Sequence, residues 1–130
     1  MFREIDDRGS ISALVVGLLM SFIACAGLAL DGGRIVATKV RSSDRAENAA
    51  RVGAQALTNI RLGVHKIDAP EAVRLVRRFL SSTGSSGSVT ASDLEVCVVV
   101  SEKVKMSVLS LVGVAHRHVS TERCARPIME

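Results

Sequence analysis

Charged residues vanish from the chain between Arg8 and Asp31. The stretch ISALVVGLLMSFIACAGLAL, Ile11 to Leu30, holds twenty residues without a charge. Coiled as a helix it rises about 30 Å, the thickness of a bilayer's hydrocarbon core. A cleaved export signal has a shorter apolar region, about 7 to 15 residues, before a small-x-small cut site. Ala24-Cys25-Ala26 offers such a site. FIAC resembles a lipoprotein motif with an ill-suited Phe22 in its first place. Length favours a retained transmembrane helix over residues 11–30 against both alternatives.

Small residues recur within this run at every fourth position: Ala13, Gly17, Ser21, Cys25, Ala29 and Gly33. Water does not drive helices together inside lipid, so close backbone approach along such rows is what favours association. Four residues overshoot a helical turn by about 40°, so the row spirals and several neighbours would share it. Gly, Ala and Ser are also common in membrane helices generally, and the row is compatible with that plainer origin.

Beyond the run the pattern changes period. From Asp31 to Leu62 there is no proline, and Ile35, Ala46, Ala49, Ala50, Gly53, Ala56, Leu57 and Ile60 fall largely on one stripe. This predicts that the membrane helix continues outward as an amphipathic rod, with a Glu47–Arg51 pair on its surface. Gly63 is expected to end the rod. Asp68 and Pro70 then suit the start of a second helix, with Val73, Val76 and Leu80 on one face and Arg74, Arg77 and Arg78 away from it. SSTGSSGS, residues 81–88, reads as a flexible connection.

A period of two takes over next. Leu94, Val96, Val98 and Val100 share one strand face; SEK reads as a hairpin turn; Val104, Met106 and Val108 return on a second strand. A third strand is expected near residues 115–125, carrying Val119. The fold class predicted is α+β: a long N-terminal helix, a short second helix, and a small antiparallel sheet whose apolar face the rod covers.

Composition narrows the chemistry. Aromatic residues are 2% of the chain, with no Trp or Tyr, so flat platforms for sugars or nucleobases are missing. The net charge of +4 comes from scattered Arg and Lys interleaved with Asp and Glu, which argues against nucleic-acid binding. An anionic membrane surface or an acidic partner suits it equally. No phosphate loop, nucleophile elbow or paired-carboxylate constellation stands in the sequence, and neither an enzyme nor a cofactor or small-molecule substrate is expected.

Cys97 points away from the valine face. If the third strand buries Val119, Cys124 has the opposite parity and lies outward too. The two would form a disulfide if their strands are neighbours, implying an oxidising compartment; two unpaired thiols are the alternative. His116 and His118 share a strand face but lack the further ligands of a metal site, and His65 stands alone in a turn. Asp31 reads as the marker of the water interface rather than an intramembrane acid.

The N-terminal DRGSISALVVGLLMSFIACAGLALDGGR, followed by RAENAARVGAQAL, resembles TadE/TadG-like proteins, the minor pilins or pseudopilins of tight-adherence (Flp-type) pilus systems. Actinobacterial members are the most similar in pattern. The ending VKMSVLSLVGVAHRHVSTERCARP also resembles the family's. The resemblance implies an envelope protein: residues 1–10 a cytoplasmic tail, 11–30 the membrane span, 31–130 an extracytoplasmic domain. It also implies other pilin or pseudopilin subunits, pilus-assembly membrane proteins and membrane lipid as partners. Prepilin peptidases cut after a glycine, which would place processing between Gly9 and Ser10. Leu14, however, occupies the place where many relatives keep a glutamate, so an uncut anchor is the alternative.

Arg34, Lys39, Arg41 and Arg45 outnumber Arg3 and Arg8 around the span, and the positive-inside rule taken alone would reverse this orientation. The resemblance and the cysteines favour an outside domain. The functional expectation is a minor pilin or pseudopilin-like subunit in pilus or secretion-filament assembly. The alternative is a membrane-anchored extracytoplasmic scaffold unrelated to pili.

Overall fold

A computed structural model describes residues 8–58 and 66–127. One helix, α1 (Arg8–Ala54), runs unbroken for 47 residues, about 70 Å at the α-helical rise. The glycine pair Gly32-Gly33 does not interrupt it. From Ser10 to Ala26 every residue is exposed; from Gly27 onward one face is buried against the rest of the chain. The helix is therefore a bare stem below and a core element above.

The rod ends earlier than its helix-forming composition predicts. Ala54 is its last residue, and Gln55 and Ala56 close a tighter turn onto Val52 and Gly53. The carbonyl of Ala56 then accepts from the Asp68 amide at 2.7 Å. Leu57 and Thr58 (β1, Leu57–Thr58) pair with Ile67 and Lys66 (β2, Lys66–Ile67) in a short antiparallel ladder. Tertiary hydrogen bonds here override propensity, which for one more helical turn contributes little. The expected stop at Gly63, and His65, lie outside the described residues.

Helix α2 (Ala69–Ser82) starts as its sequence predicts. Asp68 caps it by accepting from the Glu71 amide at 3.2 Å, and Pro70 sits in the first turn. Ala72, Val76 and Leu80 are buried, while Arg74, Arg77 and Arg78 face solvent.

The sheet departs from the predicted hairpin. Its order is β3 (Ser86–Ala91), β4 (Val96–Lys105), β5 (His116–Ala125), all antiparallel. SEK is not a turn: β4 passes straight through it. Glu102 faces the covering helix, where Arg45 of α1 meets its carboxylate at 2.5 Å, while Ser101 and Lys103 face outward. The serine-rich stretch is not a loose connection either. Gly84 turns the chain at φ +64, and residues 86–88 already belong to the edge strand. At Gly87 a Cβ would run into the Val99 carbonyl, so the strand needs glycine there. Leu94 lies outside β4, exposed at the β3–β4 turn that Ser92 and Glu95 close.

α1 covers the inner face of this sheet along its length. The larger core joins Ala46, Ala49 and Ala50 of α1 to Val76 and Leu80 of α2 and to Val96, Val98 and Val100 of β4. A second cluster of Val104, Met106 and Val119 packs with Ile35 and Leu109 nearer the stem. Ser42 and Thr121 are buried as well; Ser42 donates to the Thr38 carbonyl, and the Thr121 hydroxyl has no partner among the described residues. Alanine and glycine on the helix let it lie close against a valine-faced sheet. At Gly53 a Cβ would come within 2.8 Å of Val76 and 2.9 Å of Val96.

Candidate functional site

The exposed large apolar side chains among the described residues are concentrated on the stem, below its junction with the sheet domain. Ala13, Gly17, Ser21, Cys25, Ala29 and Gly33 are all exposed, and a Cβ placed on Gly17 or Gly33 would meet nothing within 4 Å. Ser21 donates its hydroxyl to the Gly17 carbonyl at 2.9 Å, which satisfies it within the helix. The row is thus an open surface in the single chain. Because it spirals, Ala13 lies on the side of α1 that the domain occupies higher up, while Ala29 and Gly33 lie on the opposite side. Val36 and Val40, exposed at 63% and 53%, extend that opposite face beyond the apolar run.

The tight contact that the stem does make is elsewhere. Gly27 is buried, and a Cβ there would sit 2.6 Å from a methyl of Val108. One turn further, Asp31 is fully buried. Its carboxylate accepts from the amides of Ser107 (2.8 Å), Val108 (2.9 Å) and Leu109 (2.8 Å). These amides open the single 3-10 turn Leu109–Val112 in the β4–β5 connection, so the carboxylate satisfies donors that a short helical turn leaves free. Hydrogen bonding from Leu109, then Ser107, holds the carboxyl below its ordinary 3.8, with Val108 and the Arg34 charge adding to this against the cost of burial. Arg34 also donates to the Ser107 hydroxyl. Asp31 is therefore a clasp between stem and domain, a role beyond marking the end of the apolar run. No sequence signal separates the two roles, because the partner lies 76 residues away.

Cys97 and Cys124 are directly opposed in the β4–β5 register on the outer face, their sulfurs bonded at 2.04 Å. Glu122 stands beside them, but sulfurs engaged with each other do not ligate a metal. His116 and His118 are exposed opposite Lys105 and Lys103, a setting that repels a cation. Cys25 is the free thiol among the described residues.

At the far end of the domain an open groove of about 580 Å³ runs between α1 and β5. Its arginines are engaged: Arg51 with Glu47 at 2.5 Å, Arg126 with Glu95 at 3.1 Å, and Arg123 with the Glu122 carbonyl. Of these pairs only Glu47–Arg51 follows from sequence spacing, because its partners are four residues apart on one helix.

Among the described residues, α1 alone is long and apolar enough to cross a membrane. No curated protein and no solved structure matches the chain. Residues 9–56, which are the bare stem and the alanine-rich length of α1 that the sheet covers, match the family described as putative Flp pilus-assembly TadE/G-like, and in that stretch the chain is similar to those pilus-assembly proteins.

Proposed function

We propose that the protein is a membrane-anchored subunit of a tight-adherence (Flp-type) pilus apparatus, acting as a minor pilin or pseudopilin. In this reading residues 11–30 span the membrane, residues 1–10 are cytoplasmic, and the domain from residue 31 lies outside. The observation that carries it is the division of α1. The matched stretch joins a stem exposed on every side to a helix that is the backbone of a small α+β domain. Such a stem is free to pack against other stems, and the domain above it is attached through Asp31 and Gly27.

Two features support the orientation. The Cys97–Cys124 bridge suits an oxidising compartment. The basic residues that follow the span are partly committed to the fold, Arg34 to Ser107 and Arg45 to Glu102 and Ser85. Long domains translocate largely regardless of their charge, so the basic residues after the span weigh less here than they would in a short loop.

The test is made in the organism that produces the chain. Deleting it should abolish or shorten surface pili, and the protein should copurify with pilus components from membranes. Recovery in sheared filaments identifies a minor pilin, and retention in the membrane an assembly subunit. Intact mass of the recovered protein reports whether the chain begins at Met1, at Ser10 or after Ala26. Normal pili after deletion, with no pilus component bound, would reject the proposal in favour of an unrelated membrane-anchored scaffold.

A further inference from the structure

The β4–β5 connection, residues 106–115, carries the two most exposed large apolar side chains among the described residues: Leu111 at 85% and Val112 at 77%. The loop that presents them is well built. Met106 donates to the Ala115 carbonyl at 3.0 Å, Val114 donates to that of Leu109 at 2.9 Å, and Gly113 makes the turn at φ +94. A fixed loop that holds two neighbouring aliphatic side chains in the open calls for an apolar neighbour.

Its height along α1 identifies that neighbour. The loop rests on Gly27 through Val108 and on Asp31 through three amides. Gly27 lies inside the apolar run, about 5 Å below its end at Leu30 by helical rise. A loop seated there is level with the boundary between headgroups and acyl chains of any bilayer the run crosses. Around it the charge is positive. Lys105 and Arg117 flank the base of the loop on β4 and β5, Lys103 follows on the next outward position, and Arg34 reaches across from α1. The nearby acids are occupied: Asp31 by backbone amides and Glu102 by Arg45.

We propose that this loop is a second membrane contact: Leu111 and Val112 insert into the leaflet on the domain's side, and the basic collar above them binds anionic headgroups. Shallow insertion of aliphatic side chains beneath a cationic rim is how interfacial segments bind lipid. The contact would hold the sheet domain at a fixed angle to the membrane, which a lone helix does not. The inference rests on the reading that residues 11–30 span the bilayer, and the experiment separates the two.

The chain has no Trp and no Tyr, so one introduced Trp reports alone. The full chain is reconstituted in vesicles of phosphatidylcholine and phosphatidylglycerol carrying a quencher either high or deep on the acyl chain. Leu18→Trp, in the middle of the run, should lose most of its emission to the deep quencher. Leu111→Trp and Val112→Trp should shift to the blue and lose most of theirs to the shallow one. Ser101→Trp, outward on β4, should keep its emission with both. Leu111→Trp and Val112→Trp emission unaffected by either quencher, with Leu18→Trp quenched, overturns the loop contact and leaves the span intact. A blue shift without quenching assigns the loop to a protein neighbour and likewise overturns it. Failure to quench Leu18→Trp overturns the span and the inference together. In phosphatidylcholine alone the loop signal should weaken while that of Leu18→Trp stays, and an unchanged loop signal would remove the collar from the proposal.

Discussion

At the scale of single residues the molecule turns on Asp31. A buried carboxylate is costly unless its charge is met, and here three backbone amides meet it. Because the folded carboxyl titrates below its ordinary 3.8, its contribution is full above that value and is lost as pH falls through the lower, folded value. The β4–β5 loop should therefore stay docked at neutral and mildly acidic pH and detach only in strong acid. Asp31→Asn keeps the shape but exchanges a charged acceptor for a neutral amide whose own N–H groups crowd the same donors. Protection of the Ser107, Val108 and Leu109 amides against hydrogen exchange, taken relative to the intrinsic rate at each pH, should fall in Asp31→Asn at neutral pH to the level of the wild type in strong acid. Equal protection in both proteins would show that the loop holds without the clasp.

At the scale of elements, α1 packs by having little side chain where it meets the sheet. Gly53→Ala would press a methyl into Val76 and Val96, and overpacking of this kind costs about 1–3 kcal/mol. The unfolding temperature of the domain should fall accordingly, while Gly33→Ala, in open space within the same helix, should leave it unchanged or raise it slightly. Across the sheet, removing the bridge with Cys97→Ser and Cys124→Ser together frees a separation of 27 residues, and should cost about 2–4 kcal/mol in denaturant unfolding. The helices, the stripe of Ala46, Ala49, Ala50 and Gly53, the Asp68 cap and the alternation of Val96, Val98 and Val100 were legible because each is a local repeat that burial enforces. SEK misled because its polarity is answered by Arg45, 57 residues earlier. The serine-rich edge strand misled because its pairing comes from β4 rather than from its own side chains. The Gly27–Asp31 contact was illegible for the same reason: only the fold brings Val108 to it.

At the scale of the whole molecule, the domain decides which side of the stem remains free. From Gly27 upward the sheet and its loop occupy one face of α1, so the face left open to any stem that packs at that height is the opposite one, with Ala29, Gly33, Val36 and Val40. Below Gly27 no such restriction exists, and Gly17, Ser21 and Cys25 are open on all described sides. In hydrocarbon, close approach is what favours association, so bulk placed in the row should separate stems without harming insertion. Gly17→Leu and Ser21→Leu should leave membrane integration and the Cys97–Cys124 bridge intact, yet abolish crosslinking of Cys25 to partner stems. Ala29→Leu should do the same at the level of the domain. Leu19→Ile, off the row, should crosslink as the wild type does. Gly27→Leu is the instructive contrast: it should dislodge Val108 and loosen the domain while leaving Cys25 crosslinking in place. If the row variants crosslink and assemble normally, the stem serves as an anchor only, and recognition between subunits must be carried by the sheet domain.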